Sequence, residues 1–320
     1  MVSFSFSAQA AAALLALTAG LTVVSCESPA ANTSISLRFI THNIRYAASS
    51  LMSGEKPWQT RRPKLVGDLK ANIQGSPDGF ICMQEVLNNQ LRDIHSDLNA
   101  GSSSPEWNYI GVGRDDGKEK GEYSPIFYRP ASWTLDLYKT VWLSPTPDVP
   151  SKGWDAGSIR ILTIGQFIHK ATSRKVLAMC THLDNAGSTS RLNSAKIITD
   201  RINLYTGVAN NTKPYIPLIL GGDFNSAPSQ EAYKEMSKST SIVTDLRLSI
   251  PENKRNGPST TFSGFTDSTS DDSLIDFIWL GPKSENYWEV SNYTVLANKH
   301  DDGVYSSDHR AVIGDVRLVG

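Results

Sequence analysis

The sequence predicts one α/β domain behind an N-terminal targeting segment. Strand-like and helix-like segments alternate along the chain, and no composition break or short internal repeat divides it. Several of the most apolar segments end on an Asn, Glu, Asp or His. At 320 residues with 39% hydrophobic content, the chain can bury a sizeable core as one large domain or two smaller ones, and one is the simpler account.

Residues 36–46 read as a first strand that ends on Asn43. Residues 62–72 carry Leu65, Val66 and Leu69 at helical spacing, with Pro63 placed for a first turn. Residues 80–86 read as a buried strand, and residues 89–98 as a helix with Leu91, Ile94 and Leu98 on one face. Residues 107–112, 124–128 and 133–142 are further strands. The Pro-, Gly- and Ser-rich stretch 144–157 is a loop. Residues 161–169 and 175–182 form a hairpin pair that brings His182 to a strand end. Residues 189–204 are helical, 215–220 run into Gly221 and Gly222, and strands over 276–281, 287–296 and 311–318 complete the set.

Residues 10–24 form an uncharged apolar run of signal-peptide size, short for a membrane span. We therefore read residues 1–25 as a signal peptide, 26–35 as a linker and 36–320 as the functional domain. A secreted protein without stable membrane insertion after cleavage, acting as a monomer, is expected. Three sequons, at Asn32, Asn210 and Asn292, would accept glycans in a eukaryotic host. Of the three cysteines, Cys82 and Cys180 lie in apolar segments and read as buried free thiols, with a bridge between them as the alternative. The formal net charge of -1, without long Lys or Arg runs, does not indicate a broad grip on nucleic acid, although a local groove remains open to it.

The chemistry-bearing residues come in order: Asn43 with Arg45, Glu85, Glu122 with Tyr123, His182, Asp223 with Asn225, Asp276, and Ser307-Asp308-His309. A carboxylate or imidazole at the end of a buried strand costs free energy unless it binds something. Asp223 and Asn225 are two apart, so in extended backbone both face one way, and together they suit positioning of a hydrolytic water. Gly221 and Gly222 leave room for a ligand or another segment. Glu85 closes an apolar segment, where a divalent cation is its natural partner. Oxygen ligands suit Mg²⁺ or Mn²⁺ over Zn²⁺. His309 suits contact with a phosphoryl oxygen, with Asp276 to orient it. Read singly, each has a plainer explanation as a turn, cap or packing residue. The remaining histidines, at 42, 95, 169 and 300, read as core or surface.

Taken together, Asn43, Glu85, Glu122, His182, Asp223-x-Asn225, Asp276 and Ser307-Asp308-His309 resemble the endonuclease/exonuclease/phosphatase (DNase I-like) superfamily. The resemblance spans about residues 36–318. It implies a four-layer α/β/β/α sandwich of two mixed sheets flanked by helices. It also implies Mg²⁺-dependent cleavage of a phosphate ester by direct attack of water. Carried across, Glu85, Asn43 and Asp308 would hold the metal. Asp223 would activate the water and Asn225 orient it. His309, held by Asp276, and His182, supported by Glu122, would flank the scissile phosphate. Arg45, Tyr123 and Arg191 are candidates for substrate contact. The AP endonucleases carry an acid where this chain has Arg45, and the Trp-Cys-Asp-Arg signature of inositol 5-phosphatases is replaced by Leu274-Ile275-Asp276-Phe277. The leading expectation is a secreted phosphodiesterase acting on nucleic acid, a nucleotide or a sugar phosphodiester. A phosphomonoesterase and a non-catalytic binding protein are the alternatives. Trp58, Arg114-Asp115-Asp116, Tyr123, Trp142, Trp154-Asp155 and Asp184-Asn185 would form an aromatic, acidic rim or pack the loops.

Overall fold

In a computed structural model, which describes residues 1–3 and 34–319, the fold lies in the unit Thr33–Gly320. The apolar run 10–24 lies outside the described residues. Among those described, no helix is long and apolar enough to cross a membrane.

The elements follow as β1 (Ile35–Asn43), α1 (Trp58–Ile73), β2 (Phe80–Gln84), α2 (Asn88–Leu98), β3 (Asn108–Ile110), β4 (Ile126–Tyr128) and β5 (Trp133–Trp142). Then come β6 (Ile161–His169), β7 (Lys175–His182), α3 (Ser188–Thr206), β8 (Leu218–Asp223), α4 (Glu231–Ser237), β9 (Thr244–Asp245), β10 (Asp276–Gly281), β11 (Trp288–Val295) and β12 (Val312–Leu318). One six-stranded sheet runs β11-β12-β1-β2-β4-β3, the other β5-β6-β7-β8-β10-β9. Each has one parallel pair, β1 with β2 and β7 with β8, among antiparallel neighbours.

Strand periodicity sorts the side chains into layers. On β1, β2, β7, β8 and β10 one parity, including Phe39, Phe80, Ala178, Ile219 and Ile278, packs between the sheets. The other parity meets helices. Ile40, Ile81 and Met83 pack with Leu65 and Leu69 of α1 and Leu91 and Ile94 of α2. Leu177, Met179, Leu220 and Phe277 pack with Ala195 and Ile198 of α3 and Met236 of α4. The result is the four-layer sandwich of two mixed sheets flanked by helices that the sequence led us to expect.

Two expectations need correcting. The helix α1 starts at Trp58, so Pro63 lies inside it rather than in its first turn. The proline lacks the N–H that would bond back to Gln59, but Gln59 is exposed and its carbonyl can meet water. Cys82 and Cys180 are not free thiols. They form a disulfide between β2 and β7, with Cα atoms 5.5 Å apart. The bridge crosses the inter-sheet core, two residues before the ends Gln84 and His182. Gly221 makes the sheets' approach possible there, since a Cβ would lie 2.5 Å from Phe39 and 3.1 Å from the Cys82 sulfur. The room at Gly221 therefore serves packing against the facing sheet.

The bridge joins residues 98 apart in sequence. Its loop-closure effect on the unfolded chain is about 4–5 kcal/mol by the chain-entropy model. A Cys82→Ala/Cys180→Ala double variant should lose several kcal/mol in denaturant titration. A midpoint and slope unchanged from wild type would show that the two cysteines do not pair.

Candidate active site

The inter-sheet parity that makes the core apolar also delivers the polar site. At the same end of the strands it presents Asn43 on β1, His182 on β7, Asp223 on β8 and Asp276 on β10. Strand register aligns them: His182 pairs with Asp223 across the parallel β7/β8 edge, and Asp276 pairs with Asp223 across the antiparallel β8/β10 edge. Just beyond three strand ends the backbone turns through left-handed conformations at Arg45 (φ 57°), Glu85 (φ 60°) and Asn225 (φ 45°). Non-glycine residues rarely adopt this region, and such strain concentrates at functional sites.

At Asn225 the turn changes the sequence argument. The residue is not extended, so it does not reach Asp223 by strand alternation. Its backbone N–H donates to Asp223 Oδ1 at 2.8 Å, an Asx-type turn. Its side-chain amide lies 3.1 Å from His182 Nε2 and donates to the Leu183 carbonyl at 3.0 Å. In this arrangement Asn225 positions His182.

A buried charge network lies at the centre. His309 Nδ1 is 2.9 Å from Asp276 Oδ2, and its Nε2 is 3.7 Å from Asp223 Oδ2. All three residues are no more than 4% exposed. Burial opposes the imidazolium, but Asp276 and then Asp223 outweigh it and hold His309 well above its ordinary value. Burial, with Asp276 beside it, pushes the Asp223 carboxyl up to about 7, against the pull of His309 and Asn43. His182, 3.4 Å from Asp223, is driven well below its ordinary value by burial and then by Arg160 and Arg114. The site thus pairs a charged histidine with a neutral one. Supporting contacts come from behind: His42 Nε2 lies 3.3 Å from the His309 carbonyl oxygen, and Ser307 donates to the Asn43 carbonyl at 2.6 Å.

Two groups of side chains bear on metal binding. Asp223, Asp276 and His309 each offer one donor atom, all within 4.8 Å of one another. In that group His309 Nδ1 is already engaged by Asp276. The second group is Glu85 and Asp308. Burial raises the Asp308 carboxyl, and Glu85 raises it further although His309 opposes. Two nearby carboxylates on the cleft wall form the hard-oxygen set that a divalent cation relieves of repulsion, so the residues fit such an ion. Asn43 steadies this set: its amide donates to Glu85 Oε1 and to Asp223 Oδ2, each at 3.0 Å. Its side-chain oxygen Oδ1 accepts from the Arg45 backbone N–H at 3.0 Å.

A cleft of about 830 Å³ opens over these groups. Arg45, Glu85, Glu122, His182, Asp223, Asn225, Asp308 and His309 line it, while Asp276 sits beneath. Arg45 is held there by Glu55, at 3.2 Å, and by the Tyr46 ring. Two expectations do not survive. Arg191 bonds Glu231 at 2.5 Å and the Asp184 carbonyl at 2.9 Å, away from the cleft, because a buried guanidinium at the start of α3 needs those partners. Tyr123 is buried against the α1/α2 layer, with its hydroxyl on the Lys118 carbonyl. Glu122 stands on the Nδ1 side of His182 as expected, at 3.8 Å, and its hydrogen bond comes from Arg114 Nη1 at 2.7 Å. The anticipated rim resolves mainly into loop packing: Trp58 donates to Asp93, Trp142 to the Arg114 carbonyl, and Asp155 accepts from the N–H groups of Thr189 and Ser190. Phe262 and Arg160 line the cleft and were missed. Arg160 stands directly before β6, and a lone charge at a strand's start gives no distinguishing pattern in sequence.

The comparisons with known proteins bear on the family and the fold. Residues 40–309 match the model of the Endonuclease/Exonuclease/phosphatase family. A protein of that family from Bacteroides vulgatus superposes with a TM-score of 0.74 and 31% identity, over 89% of this chain and 99% of that one. A mannosyl-6-phosphatase from Bacteroides thetaiotaomicron does so with a TM-score of 0.73 and 30% identity, over 88% and 99%. Nocturnin of Rattus norvegicus is 28% identical over 154 residues, 46% of this chain and about a third of the length of that relative. With the family model covering most of the sequence and the fold matched over nearly the whole of its neighbours, this chain belongs to the endonuclease/exonuclease/phosphatase family.

Proposed function

We propose that this chain hydrolyses a phosphate ester by direct attack of water, and that the enzyme is exported. The observation that carries the reading is the buried row of Asp223, His309 and Asp276 at the floor of a cleft that Glu85 and Asp308 also line. Asp223 is placed to take the proton of the attacking water. The His309 imidazolium, locked by Asp276, neutralises charge developing on the phosphoryl oxygens. His182, steered by Asn225, borders the phosphate on the other side. A divalent cation, Mg²⁺ or Mn²⁺, held by Glu85 and Asp308 would add Lewis-acid neutralisation of that charge.

The cleft extends from this row toward Arg45, Tyr46 and Met52 and also toward Ser158, Arg160 and Asn185. That extent gives room for groups on both sides of a phosphate, and a phosphodiester remains the first class to test. The likeness to a mannosyl-6-phosphatase over nearly the full chain favours a second reading, a sugar phosphomonoester.

Hydrolysis of bis-p-nitrophenyl phosphate, p-nitrophenyl phosphate and mannose phosphate should require added Mg²⁺ or Mn²⁺ and stop with chelator. His309→Ala should lower kcat by roughly a hundredfold or more. Diester cleavage supports the leading reading, and cleavage of monoesters alone supports the second. Chelator-resistant cleavage, or no cleavage of any, would argue against the proposal. The acid limb of the rate should follow Asp223, whose carboxyl must be ionised to act and whose value is raised to about 7. Below that point the rate should fall about tenfold per pH unit, and bound cation should move the limb to lower pH. A rate that stays flat with cation bound to below about 4, the ordinary carboxylate value, would remove Asp223 as the base.

A further inference from the structure

On the His182 side of the cleft, two arginines are held in place without being fully used. Arg160 is 5% exposed. Its Nε donates to Asp184 at 3.1 Å and its Nη2 to Asn185 Oδ1 at 2.9 Å. Asp184 is already saturated, since it accepts from the backbone N–H groups of Gly157, Ser158, Ala186 and Gly187. These contacts fix the guanidinium plane, yet Nη1 is buried with no hydrogen-bond partner. Arg114 repeats the pattern in part: Nη1 bonds Glu122, while Nε is buried without a hydrogen bond, 3.8 Å from Asp115 Oδ1. An unmade hydrogen bond on a buried charged donor is costly, and rigid donors held ready are how binding sites are pre-organised.

Position separates these donors from the reacting phosphate. The Nε2 edge of His182 faces Asp223 at 3.4 Å and Asn225 at 3.1 Å. The opposite edge, Nδ1, faces Glu122 at 3.8 Å and is itself unpartnered. Arg114 is joined to that same Glu122. Arg160 and Arg114 line one small gap together with Glu122 and His182. The arginines therefore belong to the edge of His182 turned away from Asp223. Both line the cleft, as do Ser158 and Asn185.

We propose that Arg160 and Arg114 form a subsite for a second oxyanion of the substrate, a non-scissile phosphate or a carboxylate, on the far side of His182 from Asp223. Planar guanidinium donors match either group and leave the phosphate between His182 and His309 as the scissile one. The inference rests on the phosphate-ester reading above and narrows it to phosphate esters that carry a further acidic group. Neutral sugar phosphates would then be poorer substrates than their acidic counterparts.

Binding, rather than turnover, separates this inference from the hydrolytic reading. Propylphosphonate, phosphonobutyrate and a propylene-bridged bisphosphonate contain no bond that the proposed reaction would cleave. Calorimetry with Mg²⁺ present should show the two doubly acidic probes binding wild type at least tenfold more tightly than propylphosphonate. Arg160→Gln should erase that difference, so that the three probes bind the variant alike. Arg114→Gln should reduce it, which keeps the test available if the buried Arg160 variant does not fold. Preference for only one doubly acidic probe identifies the second group as phosphate or carboxylate. Equal binding of all three probes to wild type, or equal weakening of all three in the variants, would overturn the subsite. Either result would leave the chelator-sensitive hydrolysis test untouched.

Discussion

Two carboxylates, Asp223 and Asp276, face each other across one β8/β10 register step, both 1% exposed. Buried so close together, they could not both ionise without a compensating charge. His309 supplies it, bonded to Asp276 and within 3.7 Å of Asp223. The same arrangement serves function: Asp276 is engaged by the imidazolium, while Asp223 lines the cleft. One proton on one ring thus sets the charge of the floor, and the surrounding contacts hold that ring in place. Phe262 packs edge-on against it, His42 holds its carbonyl, and Ser307 ties its loop to the end of β1.

The scaffold makes this arrangement rigid. Site residues on β1 belong to one sheet and those on β7, β8 and β10 to the other, so the distance between sheets fixes the site. Cys82–Cys180 spans that distance directly beneath it, and Gly221 permits the close approach. Gln84 caps the layer, donating to Thr41 at 3.1 Å and lying 3.0 Å from the Cys82 sulfur. Apolar packing, covalent staple and polar site are successive levels of the same inter-sheet column.

Much of this was legible in the sequence because strand alternation is a local property. The segments ending at Asn43, His182 and Asp223 could be read as strands, and a period of two places their last side chains on the core side. The family resemblance added the order in which they assemble. Long-range partners were less legible. Arg191 looked available and is taken by Glu231; Glu122 faces His182 as expected, but its hydrogen bond with Arg114 was not foreseen. Spacing cannot reveal which of several acids meets a given arginine. Asn225 was grouped correctly with Asp223 for a mistaken reason, because a left-handed turn rather than a pleat brings them together. The cysteines read as free thiols, with the bridge only as the alternative, since two apolar segments give no register across sheets. Arg160 acquires its meaning only from the fold, where its neighbours occupy two donors and leave the third.

The most direct test of this account is the protonation state of His309, read by nitrogen NMR of its ring in metal-free protein across a pH titration. Asp276 and Asp223 hold its value well above the ordinary one, so both ring nitrogens should stay protonated through neutral pH. With Asp276→Asn, the transition should move downward. A wild-type His309 that loses its proton near the unperturbed value of about 6.5 would contradict the central claim. The two carboxylates would then need a different source of compensation, and the proposed phosphate contact would lose its charge.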